Sequence, residues 1–449
     1  MNILLINPIA RARSKPNVFP TGLGYIASVC REEGHNVQVL DFNGNRVSLT
    51  YTFCKNKALN PDVIGITGIV TQYKEVKELA KQCKEFYPKA PIICGGTIAS
   101  SISELLLKKT EVDVCVRGEG EETIKRILEI GVGLPLSGTS TKTGTIVHWN
   151  DRKPIQDLLR IPRPAYDLFP METYITNPIG PYNPNKWKDG NNTNNFPRSM
   201  NMIATRGCLF SCQYCYHNFM GQGYRMRPVH DVIDEMESLK DQYDIEYIHF
   251  VDDAFAINKK WLSDFCEQVY NTDIAWSCTG RANLISDDLC CQMKKAGCIG
   301  IWLGLESGSD EMLRAMNKQA TTQDYRRAIP ILRKYFGYED YTFIIGTPGE
   351  TTRTVMESIE FCKGMHITPT ALFYMTPYPG TSLFEMLRKK DVNFKARVDN
   401  IDGVFGFERW IESLGEQGET IAWDCCGVGK PKLKEWHEMF CKETGVWNT

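Results

Sequence analysis

Thr205-Arg206-Gly207-Cys208-Leu209-Phe210-Ser211-Cys212-Gln213-Tyr214-Cys215-Tyr216-His217 is the stretch from which the rest of the chain can be read. Its cysteines follow the spacing Cys-x-x-x-Cys-x-x-Cys, with a glycine ahead of the first and a tyrosine on each side of the last. Thiolates are soft ligands suited to iron, and a tight loop gathers three of them without a long helix between. The spacing therefore suits three irons of a cubic [4Fe-4S] cluster. The fourth iron is left for a small chelating ligand, to which the cluster can pass one electron. A structural zinc site is the alternative, because His217 stands close enough to act as a fourth ligand. The local pattern leaves both open.

Composition narrows the setting. A chain of 449 residues holds two or three domains and ample core. A formal net charge of -2 lacks the basic excess of a nucleic-acid partner. No apolar run reaches the roughly 18 residues of a membrane span, and Met1 leads straight into a strand without a signal peptide. A cytoplasmic location is expected. The 17 cysteines run from Cys30 to Cys441 with no disulfide rhythm, which reads as buried free thiols in a reducing, anaerobic cell.

Upstream of the cysteine loop, short apolar runs alternate with helical periodicity. Asn2 to Pro8, Val37 to Leu40, Val63 to Thr67, Ile92 to Cys94 and Val112 to Val116 read as buried parallel strands. Thr21 to Glu33, Tyr73 to Tyr87 and Ile102 to Lys108 read as helices between them. This alternation predicts a doubly wound parallel sheet with its ligand at the carboxyl ends of the strands, at Asn7, Gly68, Gly95 and Gly118. Glycines there let a bulky ligand approach backbone amides. The dinucleotide fingerprint is missing after Asn7, where Ile9-Ala10-Arg11-Ala12-Arg13 stands instead.

Downstream of the loop, strands ending at Asp252-Asp253, Gly280-Arg281, Glu306-Ser307, Gly346-Thr347 and Pro377-Tyr378 alternate with helices. With the strand before Cys208 this makes six βα-type repeats, a partial (β/α)6 barrel, whose catalytic groups are expected at the strand ends. The expected organisation is a sheet domain over residues 1–135, a linker over 136–197, a barrel domain over 198–390 and a small C-terminal cap and substrate domain over 391–449. The Asn-rich stretch Asn183 to Asn195 reads as a solvent loop or a lid. In the tail, Cys425, Cys426 and Cys441 suggest a second cluster only weakly, because no Cys-x-x-Cys is present.

The cysteine triad resembles that of the radical S-adenosylmethionine (SAM) superfamily. The sheet region resembles the cobalamin-binding domain that precedes many of its barrels. That second likeness rests on Pro20 to Tyr25, Gly34-His35-Asn36-Val37, Asp62 to Ile66, Gly95-Gly96 and Arg117-Gly118-Glu119-Gly120-Glu121. Together they point to a cobalamin-dependent (class B) radical SAM enzyme of the methyltransferase type. The resemblance implies three cofactors: a [4Fe-4S] cluster on Cys208, Cys212 and Cys215, SAM on the open iron, and cobalamin. It places SAM near Tyr214, Tyr216, Asp252, Asp253, Arg281, Glu306 and Ser307. It places the corrin near Asn7, Thr21, Gly22, Thr67, Gly68, Ile69, Val70, Thr71, Gln72, Tyr73, Gly95, Gly96, Thr97, Gly118, Glu119 and Gly120. Tyr374 and Tyr378 are candidates to act on substrate.

The reaction that this resemblance implies is C-methylation. SAM is cleaved to methionine and a 5′-deoxyadenosyl radical, the radical takes hydrogen from an unactivated carbon, and methylcobalamin delivers the methyl group. A second SAM remethylates the cobalt. The substrate would be a small molecule, a lipid or a peptide or protein side chain, with flavodoxin or ferredoxin as reducing partner. A porphyrin-cyclase type of reaction without net methyl transfer is the alternative enzyme, and a cobalamin or Fe-S carrier the non-catalytic one. Mutase-type cobalamin proteins carry Asp-x-His-x-x-Gly after the first strand; this chain does not, so a base-off cobalt without a histidine ligand is expected.

Overall fold

The computed structural model describes residues 1–12, 14–47, 59–143, 145–177, 198–216, 223–336, 340–400, 406–414 and 420–446. The Asn-rich stretch and His217 lie outside the described residues. The chain divides into two compact units, one of Met1–Asn177, Tyr216–Arg225 and Val392–Ser413, the other of Pro178–Cys215, Met226–Asp391 and Leu414–Thr449.

In the first unit, β1 (Asn2–Asn7), α1 (Thr21–Glu32), β2 (Asn36–Asp41), α2 (Phe42–Asn45), β3 (Val63–Ile66), α3 (Tyr73–Phe86), β4 (Ile92–Cys94), α4 (Gly96–Lys109), β5 (Val114–Val116), α5 (Glu121–Ile130), β6 (Thr139–Thr143), β7 (Thr145–His148) and α6 (Met171–Ile175) follow one another. The sheet order is β2-β1-β3-β4-β5-β6-β7. The first five strands are parallel, and β6 and β7 add an antiparallel edge. Ile3, Leu4, Leu5 and Ile6 are all buried, as strands covered by helices on both faces require.

Two expectations change here. The sheet runs on past residue 135, because the Thr- and Ser-rich segment over 139–148 pairs as an edge hairpin; with few apolar residues it reads as linker, yet ladder hydrogen bonds hold it. His148 accordingly lies on β7, its Nδ1 2.8 Å from Ser140 Oγ. The proline-punctuated run near residue 164 packs on α1. A Cβ on Gly24 would stand 2.8 Å from Pro164 Cβ, and Ala165 N donates to Gly24 O.

In the second unit, β8 (Ser199–Met202), α7 (Val229–Tyr243), β9 (Tyr247–Phe250), α8 (Lys259–Val269), β10 (Ala275–Gly280), α9 (Asp287–Lys295), β11 (Cys298–Glu306), α10 (Asp310–Ala315), α11 (Thr322–Tyr335), β12 (Tyr341–Ile345), α12 (Thr352–Gly364), β13 (Ala371–Tyr374) and α13 (Ser382–Lys390) build a six-stranded parallel sheet, ordered by sequence. This is the expected half-barrel. On its helix-covered face Phe250 and Trp276 pack against Phe265 of α8, with ring centroids 5.2–6.1 Å apart. Alternation puts His249, Ser277 and Trp302 on the opposite, inner face. There His249 stacks on Trp302 at 3.9 Å and bonds Ser277 Oγ at 2.7 Å. Burial pushes the His249 imidazole down to about 3, so it is neutral.

The tail is not one cap domain. Helices α14 (Val392–Val398) and α15 (Phe407–Glu412) belong to the first unit, whereas α16 (Lys430–Thr444) packs on α12 in the second. Phe440 meets Phe343 at 5.4 Å between centroids, and Trp436 Nε1 donates to Thr352 Oγ1 at 3.1 Å.

Candidate active site and cofactor cradle

In the second unit the cysteine loop follows β8. Cys212 is buried, Cys208 half-buried and Cys215 exposed. Among the described residues no group of three or more His, Cys, Asp and Glu side chains is gathered closely enough to hold a single metal ion; the three sulfurs nonetheless feel one another's charge. The surrounding protein, then the charge of Asp253, then the other two cysteines push the Cys215 thiol up to about 12. Burial likewise raises Cys208, with Asp253 and Cys212 adding to it. Two cations oppose this: Arg281 lowers Cys208 and Lys318 lowers Cys215. Crowded thiols flanked by cations fit a multi-iron cluster, which takes the place of their protons.

Arg281, at the carboxyl end of β10, lies with its guanidinium carbon 3.7 Å from the centre of the Phe210 ring. One of its nitrogens stands 3.5 Å from Cys212 Sγ, another donates to the backbone oxygen of Lys318, and its Nε has no protein partner. Lys318 is buried. Its Nζ donates to Glu306 Oε1 at 3.0 Å and to the Tyr214 hydroxyl at 3.2 Å, and that hydroxyl donates to the same Glu306 oxygen at 3.1 Å. Glu306 adopts φ +67°, a left-handed conformation uncommon for such a residue, which the ion pair helps to hold. Burial raises the Tyr214 phenol well above its ordinary value. Neither Lys318 nor Phe210 stood out in the sequence; Lys318 follows a six-residue helix with no motif around it.

Several expected contacts are committed elsewhere. Asp252 is buried and accepts the amides of Ala204 and Thr205, which closes a strand end. Ser307 is buried against Ser358, its Oγ at 3.1 Å. Tyr374 shares its face of the sheet with Ile345 and stacks on His437 of α16 at 4.7 Å, on the helix side and away from Trp302. Tyr378 is half-buried, and its backbone oxygen accepts from Thr381. In the tail, Cys425 is buried beside Met375 O and Cys426 faces Asp424, whereas Cys441 faces His437, so these three do not converge.

In the first unit the carboxyl ends of the parallel strands divide into closed and open positions. Asn7 Nδ2 donates to Asp41 at 2.8 Å, and the Tyr174 hydroxyl donates to the other Asp41 oxygen at 2.7 Å. Thr21 bonds Phe19 O, and Glu119 is buried in an ion pair with Arg225 at 2.8 Å. Gln72 is buried, and Tyr73, 1% exposed, turns its hydroxyl to Glu408. Tyr216 bonds Ser100 on α4, whose Oγ accepts from Gly118 N, so it lies at this sheet edge. Left open or half-open are Gly22, Thr67, Ile69, Val70, Thr71, Gly95, Gly96, Thr97, Gly118 and Gly120. A Cβ added at Gly22 or Gly95 would meet nothing within 4 Å. Gly96 has φ +80°, and a Cβ there would stand 2.5 Å from Gly68 O, so the loops after β3 and β4 touch only because this residue is glycine. The result is a backbone-lined cradle of the kind a wide, flat ligand needs.

Comparisons with known proteins agree with this geometry. Residues 202–362 match the radical SAM superfamily and residues 8–128 the B12 binding domain. An uncharacterized methyltransferase of Pyrococcus horikoshii is 31% identical over 86% of this chain and 83% of its own length. An anaerobic magnesium-protoporphyrin IX monomethyl ester cyclase of Rubrivivax gelatinosus is 27% identical over 87% of this chain and 70% of its own. The structure of the radical SAM methyltransferase TsrM from Kitasatospora setae, with tryptophan and a SAM analogue bound, superimposes with a TM-score of 0.69 at 19% identity, covering 86% of this chain and 76% of that one. A three-thiol half-barrel and a backbone-lined parallel sheet thus occur in one chain that shares nearly its whole length with a methyltransferase, and the chain belongs to the cobalamin-dependent (class B) radical SAM enzymes of the methyltransferase type.

Proposed function

We propose that this protein methylates an unactivated carbon, and that Cys208, Cys212 and Cys215 hold its cluster. The observation that carries the reading is the three-cysteine loop after the first strand of a parallel half-barrel, with Arg281 3.5 Å from Cys212 Sγ and Lys318 bonded to the Tyr214 hydroxyl within the loop. When bound, the cluster supplies the electron that cleaves SAM to methionine and a 5′-deoxyadenosyl radical, and cobalamin supplies the methyl group. The protein contributes placement. Arg281 and Lys318 favour the thiolate form of the ligands. The Phe210 ring and the Lys318 carbonyl fix the Arg281 guanidinium, leaving it a free Nε–H for a carboxylate such as that of SAM. Glu306, held by Lys318 and Tyr214, offers a carboxylate for an ammonium or ribose hydroxyl. On the other unit, Gly22, Gly95 and the turn from Ile69 to Thr71 are the surface for the corrin.

The substrate is a small molecule, a lipid or a peptide or protein side chain, and the reductant a flavodoxin- or ferredoxin-type carrier in the cytoplasm. Anaerobic incubation of reconstituted protein with dithionite and SAM tests the reading: an enzyme forms 5′-deoxyadenosine and a carrier does not. The kinship with the Rubrivivax cyclase favours a second reading, chemistry without net methyl transfer. A substrate that gains one methylene in mass decides for methylation; a product without that gain decides for the cyclase type.

A further inference from the structure

We infer that the tail segment Val392–Ser413 is a working part of the cobalamin site, because it clamps the loop after β3 on which the corrin is to rest. This rests on the cofactor reading above. Helix α15 packs on the turn Val70–Gln72 and on α3, both within the first unit. A single 3-10 turn of three residues has poor hydrogen-bond geometry and little stiffness of its own. Its posture comes from two sides. On the inner side, Gln72 Oε1 accepts from Ile69 N at 2.9 Å while its Nε2 donates to Ile9 O at 3.0 Å. On the outer side, the Tyr73 hydroxyl donates to Glu408 Oε1 at 2.8 Å, an oxygen that also accepts from Lys77 Nζ at 2.6 Å.

Glu408 lies 335 positions along the chain from Tyr73, on a helix anchored by Trp410, which is 0% exposed. Trp410 packs edge-on against Phe394 at 5.5 Å and stacks with Phe407 at 5.8 Å. The clamp leaves Ile69 47% exposed, with Val70 and Thr71 half-exposed, at the carboxyl end of β3. Ordering a loop costs conformational entropy. A loop ordered before the ligand arrives spares the ligand that cost and binds it more tightly. Tyr73 and Glu408 are therefore positioning residues, acting on the corrin through the turn they immobilise.

Titration of the full-length, cluster-reconstituted protein with hydroxocobalamin tests this. Tyr73→Phe should weaken binding roughly threefold to tenfold, the loss expected from one net hydrogen bond, and Glu408→Leu, which loses that bond and the Lys77 ion pair, should weaken it at least as much. The double variant should be no weaker than Glu408→Leu, which already lacks the Tyr73 bond. Urea midpoints are measured alongside. A merely structural clamp lowers the midpoint and leaves the dissociation constant of the folded protein unchanged, which overturns the inference. Glu408→Leu, at a half-buried position of similar side-chain size, keeps the test open if Tyr73→Phe folds poorly. Wild-type protein that fails to bind hydroxocobalamin sinks the cofactor reading and the inference with it; wild-type binding with unaffected variants sinks the inference alone.

Discussion

Each of Cys208, Cys212 and Cys215 supplies one of three protein ligands, so replacing any of them with alanine should abolish both iron incorporation and 5′-deoxyadenosine formation. Cys425→Ala and Cys426→Ala should leave iron content unchanged, since these side chains face Met375 and Asp424. Iron and sulfide analysis of the five variants checks this. A second residue, Glu350, ties the loop after β12 by accepting from Gly346 N and Thr347 N, and burial pushes its carboxyl up to about 7, against those two bonds. Because the folded value exceeds the ordinary one, the folded protein keeps a proton that the unfolded chain releases between about pH 4.5 and 7. Its stabilisation is full below that window and is lost as pH rises through it, by at most about 1.4 kcal/mol per pH unit. Glu350→Gln should remove this share of the slope in urea unfolding at pH 5 and pH 8; an unchanged slope would place the proton elsewhere.

At the scale of elements, the loops after β3 and β4 meet at one glycine. Gly96→Ala puts a Cβ against Gly68 O and forces a left-handed backbone, which should cost roughly 1–3 kcal/mol and reduce cobalamin retention. Gly95→Ala has open space in the fold and should leave the urea midpoint near wild type, but its Cβ would stand on the surface proposed for the corrin and should also reduce cobalamin retention. Absorbance of the protein-bound corrin after gel filtration reads both. The parallel strands were legible because short apolar runs ended in turn-forming or polar residues such as Asn7-Pro8, Gly95 and Asp252. The edge hairpin over 139–148 was not, since its hydroxyl-rich sequence is held by the neighbouring strand and by no periodicity of its own. Helix α4 begins at Gly96, earlier than its apolar pattern, because the two glycines that end β4 also open the helix.

For the molecule as a whole, the cobalt should lack a histidine ligand. Among the described residues of the first unit the histidines are His35 and His148. His35 sits beside the amino terminus, 3.3 Å from Met1 N, at the opposite end of the strands from the cradle, and His148 lies on the antiparallel edge. Electron paramagnetic resonance of bound Co(II) should show no nitrogen superhyperfine splitting. Triplets from one axial nitrogen would refute a base-off, histidine-free site.

The sequence by itself determined the chemistry and the layering: ligand spacing is a local property, and so is the alternation of apolar runs with helical periodicity. Tertiary structure alone decided which polar side chains at the strand ends remain available. Asp252, Ser307, Glu119 and Asn7 share their residue types with good ligands, but each meets a buried partner from a remote segment, and an unpaired buried polar group costs too much to leave for a ligand. The same long-range pairing brought Lys318 to the cysteine loop and Glu408 to Tyr73. No short-range pattern encodes such meetings, because they depend on where the folded backbone returns.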